Sequence, residues 1–312
     1  MKAQARRFTI PEDRRTWAAR AGRRLVRLTN LGKVFFPEPE LTKRDLLQYY
    51  ADLSDVLLPH LKDRAMVMKR YPNGVDGKFF FMKRTPAGAP AWIECCKIEH
   101  DSGNIIDFPV VQDLPSLLWI VNLGCIDLNP WYSRCDDIDR PDFLNFDLDP
   151  VPPADFARVR EVALLIREAL DTLGARSFVK TSGSKGLHVY VPIVRGPLQK
   201  EVWHFAKRLA QWLEREAPEL VTAEYRVAKR PAGRVLVDYN QNAWGRTLAS
   251  VYSVRPRPFA TVSTPVTWEE VENEVEIIDF TPASVRQRVW DIGDLWRPLL
   301  YRRGRFDVQA NL

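Results

Sequence analysis

Apolar positions along the 312-residue chain recur at two periods. Behind Thr42, a residue suited to cap a helix start, Leu46, Leu47, Tyr50, Leu53, Leu57 and Leu58 fall at helical spacing, so residues 43–61 are predicted to be one helix. "AMVMKRY" and "GKFFFMKR" read as strands around the turn "PNGVDG". Leu114 to Leu123 reads as a buried helix. "FLNFDL" reads as a strand ended by Pro150. Over residues 153–173, Phe156, Val159, Val162, Ala163, Ile166, Ala169 and Leu170 line one helix face, with Gly174 as the stop. "RSFVKTS", a "GSKG" turn and "LHVYVPI" predict a hairpin, residues 199–216 a helix, and "RVLVDY" and "ASVYSVR" two more strands. The chain around Trp268 and from Pro282 to Leu300 reads as helical.

From "FLNFDL" onward the order is strand, helix, strand, turn, strand, helix, strand, strand. That order predicts an α+β or α/β fold with a mostly antiparallel sheet, preceded by an αβ layer that ends near residue 125. No Pro/Gly/Ser-rich linker separates the two parts, so one compact unit is expected.

Composition changes this picture little. No apolar run reaches transmembrane length and no signal peptide opens the chain, so no membrane partner is expected. Cys95, Cys96, Cys125 and Cys135 lack metal-ligand spacing, which points to a reducing, cytoplasmic setting. The net charge of +6 is uneven. Residues 1–27 carry nine Lys or Arg against Glu12 and Asp13, a surplus of seven, so the remainder is close to neutral. This basic extension suits DNA or an acidic partner; the alternative is a solvated terminus.

The candidate chemistry starts at "NFDLDP". Residues two apart on a strand share a face, so Asp147 and Asp149 stand side by side, either on a hard divalent cation or paired with surface Arg or Lys. Asp238 ends the apolar run "RVLVD", and an acid there needs a partner. A metal shared with Asp147 and Asp149 is one answer; an arginine or backbone amides are others. Three converging carboxylates can hold two cations, the arrangement that suits in-line displacement at phosphorus. In "KTSGSKGLHVYVP", the turn Ser182–Gly186 can offer amides, hydroxyls and the Lys185 ammonium to a triphosphate, with His188 following; it can also be an ordinary hairpin turn. In "MKRYPNGVDGKFFFMKR", cations Lys69, Arg70, Lys78, Lys83 and Arg84 interleave with Tyr71, Phe79, Phe80 and Phe81. That pattern suits nucleic acid, or two core phenylalanines with one exposed.

Taken in order, "LTNLGKVFFPEPELTKRDLLQYY", "KRYPNGVDGKFFFMKR", "IDLNPWYSRCDDIDRPDFLNFDLDP", "KTSGSKGLHVYVP", "RVLVDYNQNAWGRTLASVYSVRPRP" and "VSTPVTWEEV" give the chain a likeness that no single motif carries. From about Leu28 to its end it resembles the polymerase domain of bacterial DNA ligase D, in the archaeo-eukaryotic primase superfamily. The resemblance implies an N-terminal αβ module over about 28–125 and a catalytic module of the RNA-recognition-motif type over about 126–312. It implies a template-dependent nucleotidyltransferase, preferring ribonucleotides and often manganese over magnesium, that extends NTP or dNTP into short gaps. Asp147, Asp149 and Asp238 match the metal-binding triad. Ser182, Lys185, His188, Arg255 and Arg230 match residues on the incoming triphosphate. Asn30, Lys33 and Lys43 match a pocket for the downstream 5′-phosphate, and Arg70, Phe80, Phe81 and Lys83 match template contacts. Asn129 departs from the usual His before "PW"; it hydrogen-bonds near the nucleotide but carries no charge.

The sequence shows no nucleotidyl-ligase lysine motif and no nuclease module, which fits a stand-alone enzyme like Prim-PolC or an excised fragment. The implied partners are gapped or broken duplex DNA at the bacterial nucleoid, a separately encoded ligase, and Ku. Rival readings are a metal-dependent phosphodiesterase and a catalytically weak module that bridges DNA ends and recruits Ku or a ligase.

Overall fold

The computed structural model describes residues 8–311. Strands β1 (Thr16–Ala21) and β2 (Arg24–Thr29) form a hairpin whose inward residues Ala19, Ala21, Val26 and Leu28 join the core. The boundary expected at residue 27 therefore runs through β2, and only part of the basic segment can be an extension. The segment from 1 to 7 lies outside the described residues.

A short pair, β3 (Val34–Phe36) and β4 (Leu41–Thr42), leads into α1 (Lys43–Asp52). Thr42 caps α1 reciprocally with Asp45, as its position in the sequence predicts. The single helix expected over 43–61 is broken: Ser54 Oγ donates to Ala51 O at 2.8 Å, and α2 (Ser54–Leu61) starts afresh.

β5 (Met66–Arg70) pairs with β6 (Phe80–Met82) and with β9 (Cys125–Pro130). Between them β7 (Cys95–Glu99) and β8 (Ile105–Pro109) make a hairpin, and α3 (Leu114–Asn122) follows as a buried helix capped by Asp113 and Ser116. β10 (Ser133–Arg134) and β11 (Asp137–Pro141) form a small ribbon.

The second module runs β12 (Phe143–Pro150), α4 (Phe156–Thr172), β13 (Phe178–Thr181), β14 (Leu187–Pro192), α5 (Gln199–Glu216), β15 (Val221–Thr222) and β16 (Val235–Asp238). With β17 (Pro265–Val266) these strands make a six-stranded sheet in the order β15-β16-β12-β14-β13-β17, antiparallel except for β15 on β16. The four long strands β12, β13, β14 and β16 with α4 and α5 give strand-helix-strand-strand-helix-strand connectivity. The predicted α+β class and its RNA-recognition-type sheet are observed. α4 packs on β12 and β14, and α5 on β12 and β15. Leu144, Phe146 and Leu148 of β12 are fully buried, and strand alternation sends Asn145, Asp147 and Asp149 to the other face.

After α6 (Trp268–Glu272), α7 (Pro282–Ile292) ends at Gly293, which has φ +75°, and a short 3-10 turn covers Arg297–Leu300. The helix predicted to Leu300 is thus two pieces. The strand predicted at "ASVYSVR" does not form. Tyr252 takes φ +62°, and the segment alternates partners: Ser250 N bonds to Leu128 O, while Tyr252 N bonds to Ser263 O. A backbone shared between two neighbours cannot hold one ladder.

Candidate active site

β12 places the site. Asp147 lies directly opposite His188 of β14 on one side and Asp238 of β16 on the other. Directly opposed residues of antiparallel strands share a face with Cβ atoms about 5 Å apart. Two carboxylates from distant parts of the sequence and one imidazole therefore form a row across three central strands, with Asp149 two residues along.

Behind the row, Lys180 of β13 is opposite His188 and fully buried. Its Nζ meets His188 Nδ1 at 2.7 Å, Ala249 O at 3.0 Å and Ser263 Oγ. Ser263 Oγ donates its own hydrogen to Thr181 O, so it accepts from Lys180, as the Ala249 carbonyl must. Burial and then Arg255 lower the Lys180 ammonium well below the usual lysine range, against the pull of Asp147 and Asp127. In its protonated form it has three donors and gives the third to Nδ1. That leaves the hydrogen of His188 on Nε2, which lies 3.1 Å from Asp147 Oδ1.

The carboxylates strain against one another. Burial pushes the Asp147 carboxyl up to about 6, against the pull of Lys180 and Arg255. Asp149 is pushed up to about 7, chiefly by Asp147 and then by burial. Burial and then Asp147 also raise Asp238. Hard oxygen donors that destabilise each other in this way fit a divalent cation between them. Asp238 is the exception in its present pose: Oδ1 accepts from Asn240 N at 2.9 Å and Oδ2 from Gln241 Nε2 at 3.0 Å. No three such side chains among the described residues stand ready around one point.

Asp147, Asp149, Ser182, His188, Arg255, Asn129, Phe81 and Lys83 all line one cleft of about 460 Å³. The turn beside it is built around Ser182, whose Oγ accepts from Ser184 N, Lys185 N and Gly186 N at 3.0–3.2 Å. This corrects the expectation that these amides face a triphosphate: they hold the turn together. The Ser182 hydroxyl hydrogen remains free to donate. Gly186 is required, because a Cβ there would lie 1.7 Å from Leu148 O.

A profile of the LigD primase-polymerase domain matches residues 42–296. The chain belongs to the LigD primase-polymerase family. It is 35% identical over 277 residues to the multifunctional non-homologous end joining protein LigD of Mycolicibacterium smegmatis, covering 88% of this chain and 36% of that protein. Identity to the bifunctional LigD of Bacillus subtilis is 32%, over 85% of this chain and 42% of that one. The chain thus spans well under half of these relatives. The fold superimposes on the polymerase domain of Mycobacterium tuberculosis ligase D in complex with DNA, with TM-score 0.83, 34% identity, and coverage of 88% of this chain and 97% of that one. A LigD primase-polymerase is a metal-dependent nucleotidyltransferase with nucleotide substrates.

Within this primase-polymerase the remaining candidates separate. Lys185 lines a neighbouring cleft of about 550 Å³ with Pro150, Phe156, Arg257 and Phe259; Ser184 borders both clefts. Arg230 donates to Glu224 O and Tyr225 O at 3.2 Å, and its field lowers Asp149 and Asp238. Asn30, Lys33 and Lys43 gather at the open end of the β3–β4 pair, where β2 leads into β3 and β4 into α1: Lys33 N bonds to Asn30 O and Lys43 N to Lys33 O. Lys33 Nζ donates to Pro72 O and Asn73 Oδ1, and Lys43 Nζ to Thr29 O at 2.8 Å. Burial, Lys33 and Arg70 bring the Lys43 ammonium down to about 8.

Phe79, Phe80 and Phe81 are 49%, 43% and 61% exposed, so the packing alternative, with two of them in the core, does not hold. Phe80 stacks over Arg70; Phe79 and Phe81 flank Lys69 on the opposite face.

Two site residues escaped the sequence reading. Asp127 of β9 is buried in the cleft wall, opposite Lys69 and 3.5 Å from Arg255 Nε, with Oδ1 unpartnered. Its signal was available: an acid between Ile126 and Leu128 follows the logic applied to Asp238. Lys180 carried no signal, because "VKTS" does not distinguish a buried lysine from an edge one.

Proposed function

We propose that this primase-polymerase fills short gaps at DNA breaks or excision sites, adding nucleotides to a primer opposite a template. The row Asp238–Asp147–His188 beside the Ser182 turn carries the reading: Asp147, Asp149, His188 and Ser182 join acidic oxygens and phosphate donors in one cleft, and Asp238 stands opposite Asp147 on the next strand. Divalent ions on Asp147, Asp149 and Asp238 would neutralise charge at the triphosphate and polarise the attacking primer oxygen. The Ser182 hydroxyl donates to phosphate oxygens, as does the Nε2–H of His188 once Asp147 Oδ1 releases it to bind a metal, and Arg255, braced by Asp127, adds a cation. Lys185 and Arg230 approach the phosphates from the flanks. Asn129, the residue that departs from the family pattern, lines the same cleft and donates Nδ2 to Asp127 O at 3.0 Å, which supports a place beside the nucleotide.

The template crosses Arg70, Phe80, Phe81 and Lys83, where exposed rings stack on bases and cations hold the backbone. Asn30, Lys33 and Lys43 receive the downstream 5′-phosphate. The relatives are named as end-joining proteins, which supports break repair; Ku and a ligase as partners follow from the family resemblance. The ribonucleotide preference and the use of manganese follow from the family resemblance.

Extension of labelled primers on gapped, nicked and unprimed DNA, with NTP against dNTP and manganese against magnesium, tests the whole reading. Template-directed growth on gapped DNA is expected. Primers that only shorten would replace the polymerase with the phosphodiesterase.

A further inference from the structure

The hairpin β1–β2 carries two kinds of arginine. Arg24 is tied down: it pairs with Asp113 and lies over the Trp92 ring at 5.2 Å. The outer face is different. Alternation leaves Ala18, Arg20, Leu25 and Arg27 exposed together, with Arg20 opposite Leu25 and Arg27 opposite Ala18. Arg23 stands exposed in the connecting turn. Among the described residues, Arg20, Arg23 and Arg27 have no side-chain hydrogen bond and no acidic partner.

This face is continuous with the phosphate pocket. β2 runs directly into Asn30, and its last residue, Thr29, supplies the carbonyl that holds Lys43 Nζ. We propose that the outer face of the hairpin grips the duplex downstream of the gap, on phosphates beyond the 5′-terminal one. The inference rests on the 5′-phosphate reading of Asn30, Lys33 and Lys43.

The reach fits. At a strand rise of about 3.4 Å per residue, Arg27 stands about 10 Å and the Arg20–Leu25 pair about 17 Å from Asn30. At about 3.4 Å per base pair, these distances correspond to phosphates about three to five base pairs into the arm. The chemistry selects nucleic acid over an acidic protein. A protein interface needs an apolar, desolvated centre, and among the described residues Leu25 is the only large apolar side chain on this face. Arginine forks spaced along a strand match a phosphate backbone without one.

The test compares the wild-type chain with the double variant Arg20→Ala/Arg27→Ala, each checked by thermal melting. The DNA is gapped and 5′-phosphorylated, with a downstream arm of either about ten base pairs or about two closed by a loop. The wild type is expected to bind the longer arm on the order of tenfold more tightly, and the variant to bind both alike. On the longer arm, the dependence of log affinity on log salt should flatten by about two in the variant. Equal binding of both arms by the wild type overturns the proposal. So does a variant that keeps the preference, an outcome that would return the face to an acidic protein partner. Failure of the phosphate pocket reads out separately, as equal wild-type affinity for 5′-phosphate and 5′-hydroxyl ends, and removes the shared edge on which the proposal depends.

Discussion

The sheet row around Asp147 and the N-terminal edge around Lys43 both collect charge, in opposite ways. In the row, Lys180, His188 and Asp147 are buried and face one another across adjoining strands, each fixing the next. On the edge, cations stand together and find neutral carbonyl or amide acceptors or none at all: Lys33 on Pro72 O, Lys43 on Thr29 O, and Arg20, Arg23 and Arg27 open to water. The first arrangement is preorganised and shielded from solvent ions. The second is a standing positive field completed by a ligand. In the proposed function catalysis belongs to the first and DNA capture to the second, and the two should fail independently.

The largest expected effect comes from the row. Asp147→Ala removes the central oxygen donors, and primer extension should fall at least about a thousandfold, while affinity for gapped DNA stays within about twofold. Retained extension would remove Asp147 from the chemistry. Lys180→Met comes next. It keeps the stem but strands His188 Nδ1, Ala249 O and Ser263 Oγ, so urea unfolding should show a loss of about 3 kcal/mol. Extension should drop by about a hundredfold, because His188 no longer has its hydrogen fixed on Nε2. Unchanged stability would mean that water or another group replaces the ammonium.

How far the sequence showed this contrast depends on range. Local codes were legible: the Thr42 cap, the Asp147/Asp149 alternation and the turn glycines each need only a few neighbouring residues. Meetings across the sheet were legible only where an acid broke an apolar run, as Asp238 did and Asp127 could have. Lys180 was hidden because its partners at 249 and 263 lie on segments with irregular backbone, the first of them misread as a strand. The basic N-terminus was readable as charge, but alternation of small and charged residues at "AARAGRRLVR" gave no warning that half of it folds inward as a hairpin. The helix break at Leu53 was likewise invisible, since a serine hydroxyl taking a carbonyl leaves no periodic trace.

Effects on the edge should be smaller and ionic. Lys33→Ala removes a cation beside Asn30, and the preference for a 5′-phosphate over a 5′-hydroxyl end should fall by about tenfold, with the extension rate at saturating DNA unchanged. Raising salt should mimic it, weakening capture steeply while the shielded row keeps its turnover. A variant that slows turnover at saturation would instead tie the edge to the chemistry.

The smallest effect is a pH dependence of the preference for a 5′-phosphate end. Lys43 is held near 8, well below the usual lysine range, by burial first and then by Lys33 and Arg70. The charged form is the one that pairs with phosphate, so the advantage of a 5′-phosphate is complete below that value and shrinks as pH rises through it. If binding requires the ammonium, the loss between about pH 7 and 8.5 is about fourfold. The phosphate itself is already doubly charged over most of this range and contributes little of the change. Lys43→Gln should give a smaller preference that is flat across the same interval, measured by fluorescence anisotropy with paired 5′-phosphate and 5′-hydroxyl arms. A slope that persists in this variant would assign the titration to another group and weaken the claim that burial, with neighbouring cations after it, tunes this end of the molecule.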